Sequence, residues 1–147
     1  MATRILLVDD DGDDTWLFME ALRGIDPSIV CICATDGQEG LDKLKEIEPP
    51  GVIFLDINMP IMNGWDCLKA IKSNNDFKNI PVIMYSTSSH MEDISKAFDL
   101  GILCFFSKPF DFKNLAKTLE VIVSNLKEGT LASMPAGNKH LRFRPVV

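Results

Sequence analysis

Only four cysteines occur, at positions 31, 33, 67 and 104, and no two stand in Cys-x-x-Cys spacing. The two histidines, His90 and His140, lie well away from all of them along the chain. That scarcity excludes a sequence-encoded zinc ribbon or disulfide framework and reads the cysteines as small reduced core residues. Long hydrophobic runs are missing too. No unbroken apolar run reaches seven residues, whereas a membrane-spanning helix needs ~20. The first such run, residues 5–8, meets acids after four positions, too early for the ~7–15-residue core of a secretory signal. The expectation is a cytoplasmic protein that engages no membrane.

Positive charge is also in deficit. Fifteen Lys and Arg face 21 Asp and Glu, for a net charge of −6. Residues 1–128 hold every acid and carry −9, while Lys139, Arg142 and Arg144 leave residues 129–147 at +3. An acidic body repels a polyphosphate backbone, so direct nucleic-acid binding is not expected. With 147 residues, 46% of them apolar and 24% charged, the chain has the size and composition of one globular domain with a real core.

Short apolar runs recur at residues 5–8, 29–34, 52–55, 82–85 and 103–106. They are continuously apolar rather than alternating, as in strands covered on both faces. Helical spacing fills the gaps. Phe18, Ala21, Leu22 and Ile25 form one stripe, and Ile94, Ala97, Phe98 and Gly101 another. Phe112, Leu115, Ala116, Leu119, Ile122, Val123 and Leu126 form the clearest. Asp14, Asp36, Asn63 and Asp111 are placed to cap helix starts, and Gly101 and Gly129 to end helices. Strand and helix thus alternate five times, which right-handed crossovers resolve into a doubly wound α/β protein with a five-stranded parallel sheet and five helices. Residues 129–147 have no period and read as an appended tail after a domain spanning 1–128, with no separate output domain.

In an open α/β sheet, ligands bind beyond the carboxyl ends of the strands. Asp9-Asp10-Asp11-Gly12-Asp13-Asp14 follows the first run, and Asp56-Ile57-Asn58 follows the third. Ser86 closes the fourth, and Ser107-Lys108-Pro109 follows the fifth. Carboxylates at Asp9, Asp10 and Asp56 would repel one another by roughly 4 kcal/mol per pair at ~4 Å and an effective dielectric of 20. An oxygen-bound divalent cation resolves that repulsion, and Mg²⁺ suits it. Lys108 offers a point charge to a phosphate and Ser86 a hydroxyl donor, so the rim points to a carboxylate that accepts a phosphoryl group.

These segments resemble the response-regulator receiver domain of two-component signalling, over roughly residues 3–127. The resemblance is carried by Ile5-Leu-Leu-Val-Asp-Asp-Asp11, Val52-Ile-Phe-Leu-Asp56-Ile-Asn-Met-Pro60 with Asn63-Gly64, Pro81-Val-Ile-Met-Tyr-Ser86 and Phe105-Phe-Ser-Lys108-Pro109-Phe110. It implies a flavodoxin-like sheet of order 2-1-3-4-5. It also implies a single-domain response regulator whose Asp56 takes a phosphoryl group from the phosphohistidine of a sensor histidine kinase or a histidine phosphotransfer protein. By the same resemblance Asp9, Asp10, Asp56 and the Asn58 backbone carbonyl bind Mg²⁺, with Mn²⁺ as an alternative. Ser86 and Lys108 contact the phosphoryl group, Ser86 and Phe105 form the switch, and Asn58 and Ser88 tune the lifetime of the acyl phosphate. Asp11, Asp13 and Asp14 receive no role beyond flanking charge. Output would pass to a partner protein, and a homodimer could form through the tail or the face of the fourth helix, fifth strand and fifth helix. Two other readings remain at this point: a flavodoxin-like electron carrier, and an aspartyl-nucleophile phosphatase using the Asp9-x-Asp11 spacing.

Overall fold

β-Branched and aliphatic residues become strands where they cluster: β1 (Arg4–Val8), β2 (Val30–Ala34), β3 (Val52–Leu55), β4 (Val82–Ser86) and β5 (Cys104–Ser107). The amphipathic segments between them become α1 (Gly12–Ile25), α2 (Gly37–Glu46), α3 (Gly64–Ser73), α4 (Met91–Asp99) and α5 (Phe112–Glu128). The structure, a computed structural model, describes residues 2–88, 90–134 and 137–144.

The five strands pair in parallel in the order β2-β1-β3-β4-β5, as expected. A sixth strand was not expected. β6 (Leu141–Arg142) runs antiparallel along the outer edge of β5, pairing Arg142 with Phe105 and Leu141 with Phe106. The chain reaches it through a 3₁₀ turn at Leu131–Ser133, and Leu131, Met134 and Leu141 bury their side chains in the core. With only two residues in β6, the segment shows no period of its own in the sequence.

Alternate residues of the strands feed two cores. Ile5, Leu7, Phe54, Ile83, Tyr85 and Phe106 pack against Phe18 and Leu22 of α1 and Leu119 and Ile122 of α5. Leu6, Val8, Ile53, Leu55, Met84 and Phe105 pack against the other helices, through Leu44, Leu68 and Ile94 among others. Edge strand β2 is only half-buried, so its run of apolar residues is covered less completely than the pattern predicted.

Helix ends follow the sequence with one correction. Asp36, Asn63 and Asp111 accept backbone N–H groups as N-caps. Gly129 ends α5 in the left-handed conformation (φ 73°) and Gly101 follows α4 (φ 98°). Helix α1, however, is capped by Asp11, whose Oδ1 accepts from the N–H groups of Asp13 and Asp14, not by Asp14. The cap falls there because Gly12 already lies within the first turn. Two residues also leave their expected apolar stripes: Gly101 lies past the end of α4, and Phe112, the first residue of α5, is 47% exposed.

Candidate functional site

The chain passes from β1 to β2 on one side and then returns to lay β3 on β1's other side, so the sheet order reverses between β1 and β3. Ligand crevices in this architecture form at such a reversal. Val8 and Leu55 are paired across it, which sets Asp9 and Asp56 side by side as the next residue of each strand. The backbone fixes both: Asp56 N–H donates to the Val8 carbonyl, and Asp9 N–H to that of Ala34.

Lys108 enters from the end of β5, with its N–H bonded to the Ser86 carbonyl. Its Nζ donates to Asp9 Oδ2 at 2.7 Å, Asp14 Oδ2 at 2.9 Å and Asp56 Oδ2 at 3.3 Å. The ammonium also stands 5.1 Å from the ring centre of Tyr85, over a floor of packed aromatic rings that includes Phe18, Phe54 and Phe106. The second oxygens are held as well. Asp9 Oδ1 accepts from the Asp11 N–H and Asp56 Oδ1 from the Ile57 N–H. The pocket therefore presents carboxylates whose rotamers are already set.

Electrostatics at the rim are unbalanced. Burial pushes the Asp9 carboxyl up to about 6, against the opposing pull of Lys108 and the Asp11 N–H. For Lys108, burial favours the neutral amine, but the hydrogen bonds it donates to Asp9 and Asp14 and the nearby Asp9 and Asp56 charges outweigh it and raise the ammonium above its ordinary value. One cation thus faces four acids, Asp9, Asp10, Asp14 and Asp56. Oxygens of Asp9, Asp10 and Asp56 lie within 4.8 Å of one another, with Asp9 and Asp56 buried and Asp10 open to solvent. An all-carboxylate set with one exposed member fits a hard divalent ion that keeps part of its water shell.

Of the other residues anticipated from sequence, Ser86 is buried at the end of β4, where its Oγ accepts from the Ser88 N–H. Ser88 is turned away from this group, its hydroxyl donating to Asp93 Oδ2 at 2.7 Å. The Asn58 side chain is exposed in the loop after β3. Phe105 is fully buried, its ring packed inward in the core on the α3–α4 face. Two participants were missed: Asp14, taken as flanking charge and a cap, and Tyr85 beneath Lys108. The available signal for Asp14 was the shortness of the connection after β1, residues 9–11, which puts the first helical turn close above the strand end. Asp11, needed by the phosphatase reading, spends its carboxylate on the α1 cap. Carboxylates also occupy the loop where a flavin phosphate would require uncharged donors.

Comparison with known proteins agrees with this geometry. The model of the response regulator receiver domain matches residues 5–120. Response regulator Rcp1 of Synechocystis sp. is 33% identical over 126 residues, covering 82% of this chain and 86% of its own length. Among solved structures, the phosphorylated cyanobacterial phytochrome response regulator RcpA superposes with a TM-score of 0.80 at 29% identity, over 88% of this chain and 96% of that one. The Mn²⁺-bound form of Rcp1 gives 0.77 at 31% identity, over 91% and 99%. Among the described residues, no helix is long and apolar enough to cross a membrane.

Proposed function

The chain belongs to the response regulator receiver family, and from that membership we propose that Asp56 is the residue that accepts the phosphoryl group. The observation that carries this is the placement of Lys108 Nζ 3.3 Å from Asp56 Oδ2, with the carboxylates of Asp9 and Asp10 beside it. Asp56 attacks phosphorus through a carboxylate oxygen, the phosphorus–nitrogen bond of a donor phosphohistidine breaks, and its electron pair returns to the imidazole of a sensor kinase or phosphotransfer protein. Little covalent chemistry is asked of the protein, so rate comes from positioning and charge compensation.

Asp9, Asp10 and Asp56, with the Asn58 backbone carbonyl, would hold Mg²⁺ or Mn²⁺. Such an ion, when bound, offsets negative charge on the transferring oxygens. Lys108 meets the phosphoryl group from the other side, held by its backbone bond to Ser86 and by Asp9 and Asp14. Buried Ser86 moves toward the phosphoryl group to donate its hydroxyl to one of its oxygens, and Phe105 fills the space that movement leaves. The inward ring of Phe105 favours that role, although a phenylalanine brings no hydroxyl to it. By the family resemblance Asn58 and Ser88 stand at the positions that tune the lifetime of the acyl phosphate; Asn58 is exposed beside Asp56, whereas the Ser88 hydroxyl is bonded to Asp93.

The protein's own chemistry is then limited to gaining and losing this group; it is a signalling protein without a separate substrate. Its output is a protein partner, or a second copy, reading the face of α4, β5 and α5, along whose edge β6 lies. Arg144, two residues beyond β6, reaches Asp99 of α4. Phosphotransfer from purified histidine kinases tests the assignment: label moves to the wild-type chain and not to Asp56→Asn, and transfer to the variant refutes it.

A further inference from the structure

The run Asp9 to Asp14 supplies more carboxylates than a cation needs. Asp11 is spent on the α1 cap, and Asp14 directs Oδ2 at Lys108 from 2.9 Å. An ammonium has three N–H donors, and Lys108 aims them at Asp9, Asp14 and Asp56. Two of those acceptors, Asp9 and Asp56, belong to the group of three carboxylates that can share an ion; Asp14 does not. A divalent cation and the ammonium therefore compete for Asp9 and Asp56. Asp14 is the acceptor that the ammonium need not share.

We propose that Asp14 is a positioning residue that keeps Lys108 at the edge of the site, so that oxygens of Asp9 and Asp56 are left to the cation while the ammonium stays beside Asp56. The inference rests on the cation-site reading above. Asp14 is suited to the task because the first turn of α1 is anchored by the Asp11 cap, which binds Asp14's own N–H. Its side chain is one-third exposed, so holding an ammonium there costs less desolvation than a third buried carboxylate would. Without it, Lys108 has only the cation's own ligands to bind, and two positive charges contend for the same oxygens.

A double-mutant cycle on the full chain reads this directly, with Mg²⁺ binding followed by calorimetry in the absence of any phosphoryl donor. Asp14→Asn weakens Mg²⁺ binding about tenfold or more, the scale on which losing an outer-shell partner acts. In a Lys108→Met background the same substitution changes affinity less than about threefold, because the competitor is gone. Asp14→Glu restores most of the loss, and thermal melting of each metal-free variant confirms that it is folded. Equal weakening in both backgrounds overturns the proposal, since Asp14 would then act on the cation itself. Unchanged or tighter binding in Asp14→Asn also overturns it. A wild-type chain that binds no Mg²⁺ overturns the cation site as well, whereas the Asp56 labelling experiment stands or falls separately.

Discussion

Gly64 lies directly against the backbone of Asp56: a β-carbon added to it would sit 2.0 Å from the Asp56 carbonyl oxygen and 2.8 Å from Cα of Ile57. The Gly64 N–H also donates to the Ile57 carbonyl at 2.7 Å, so the start of α3 is stitched to the loop that carries Asp56. Gly64→Ala must push these backbones apart, at a cost of about 2–3 kcal/mol, the range of overpacked cores. Urea unfolding should show that loss, with weaker cation binding because Asp56 is displaced. Wild-type stability in Gly64→Ala would mean that the loop moves freely.

Three residues earlier the same loop stores strain. Ile61 has φ 66° and is 85% exposed, and the Met62 N–H bonds the Pro60 carbonyl across it. A β-branched residue gains nothing in that left-handed turn and loses about 1–2 kcal/mol by adopting it. Ile61→Gly should raise stability by about 0.5–1 kcal/mol after the added unfolded-state entropy of glycine is counted. The Met62 carbonyl receives the Gly37 N–H, which holds the turn in register, so the substitution leaves the fold unchanged. A destabilised Ile61→Gly variant would show that the turn is not strained.

Asp9 predicts a metal-linked pH dependence. Its carboxyl sits near 6 in the fold against 3.8 in a model peptide, so the folded protein holds this proton more tightly than the unfolded chain. The Asp9 contribution therefore favours folding fully below about pH 4 and is lost as pH rises through 6, on the order of 3 kcal/mol in all. A divalent cation needs the ionised form and compensates that loss, so Mg²⁺ stabilises strongly at about pH 7.5 and weakly at about pH 5. Denaturant melts with and without MgCl₂ at both values provide the check. Equal stabilisation at the two would remove Asp9 from the ion's ligands.

How much of this was readable in advance varied with the physics involved. Parallel strands buried on both faces announce themselves as unbroken apolar runs, which is why β1, β3, β4 and β5 and the rim residues Asp9, Asp56, Ser86 and Lys108 could be located from sequence. The cap of α1 was misplaced because five acids in six positions offer no contrast. The role of Asp14 depends on where the Lys108 amine ends, 94 residues away, which no local pattern encodes. Strand β6 was hidden for a related reason: two residues that pair across the β5 edge show no periodicity, and burial of Leu131, Met134 and Leu141 depends on the surface already built by α5 and β5.

That packing is testable alone. Leu141→Ala removes a buried side chain opposite Phe106 and should cost about 2 kcal/mol, at the lower end for core leucines because the site lies at the sheet's edge. Labelling of Asp56 by acetyl phosphate should persist, since Leu141 lies on the other face of the sheet from Phe105. A fully stable Leu141→Ala chain would mean that β6 detaches at little cost.

The most direct measurement is chemical mapping of the phosphorylated residue. The chain is treated with acetyl phosphate and Mg²⁺, reduced with borohydride, which converts an aspartyl phosphate to homoserine, and sequenced by mass spectrometry. Homoserine at position 56, absent when Mg²⁺ is withheld and absent from Asp56→Asn, is the predicted result. Homoserine at Asp9, Asp10 or Asp14 in place of Asp56, or none at any position under conditions that phosphorylate a control receiver, would contradict it.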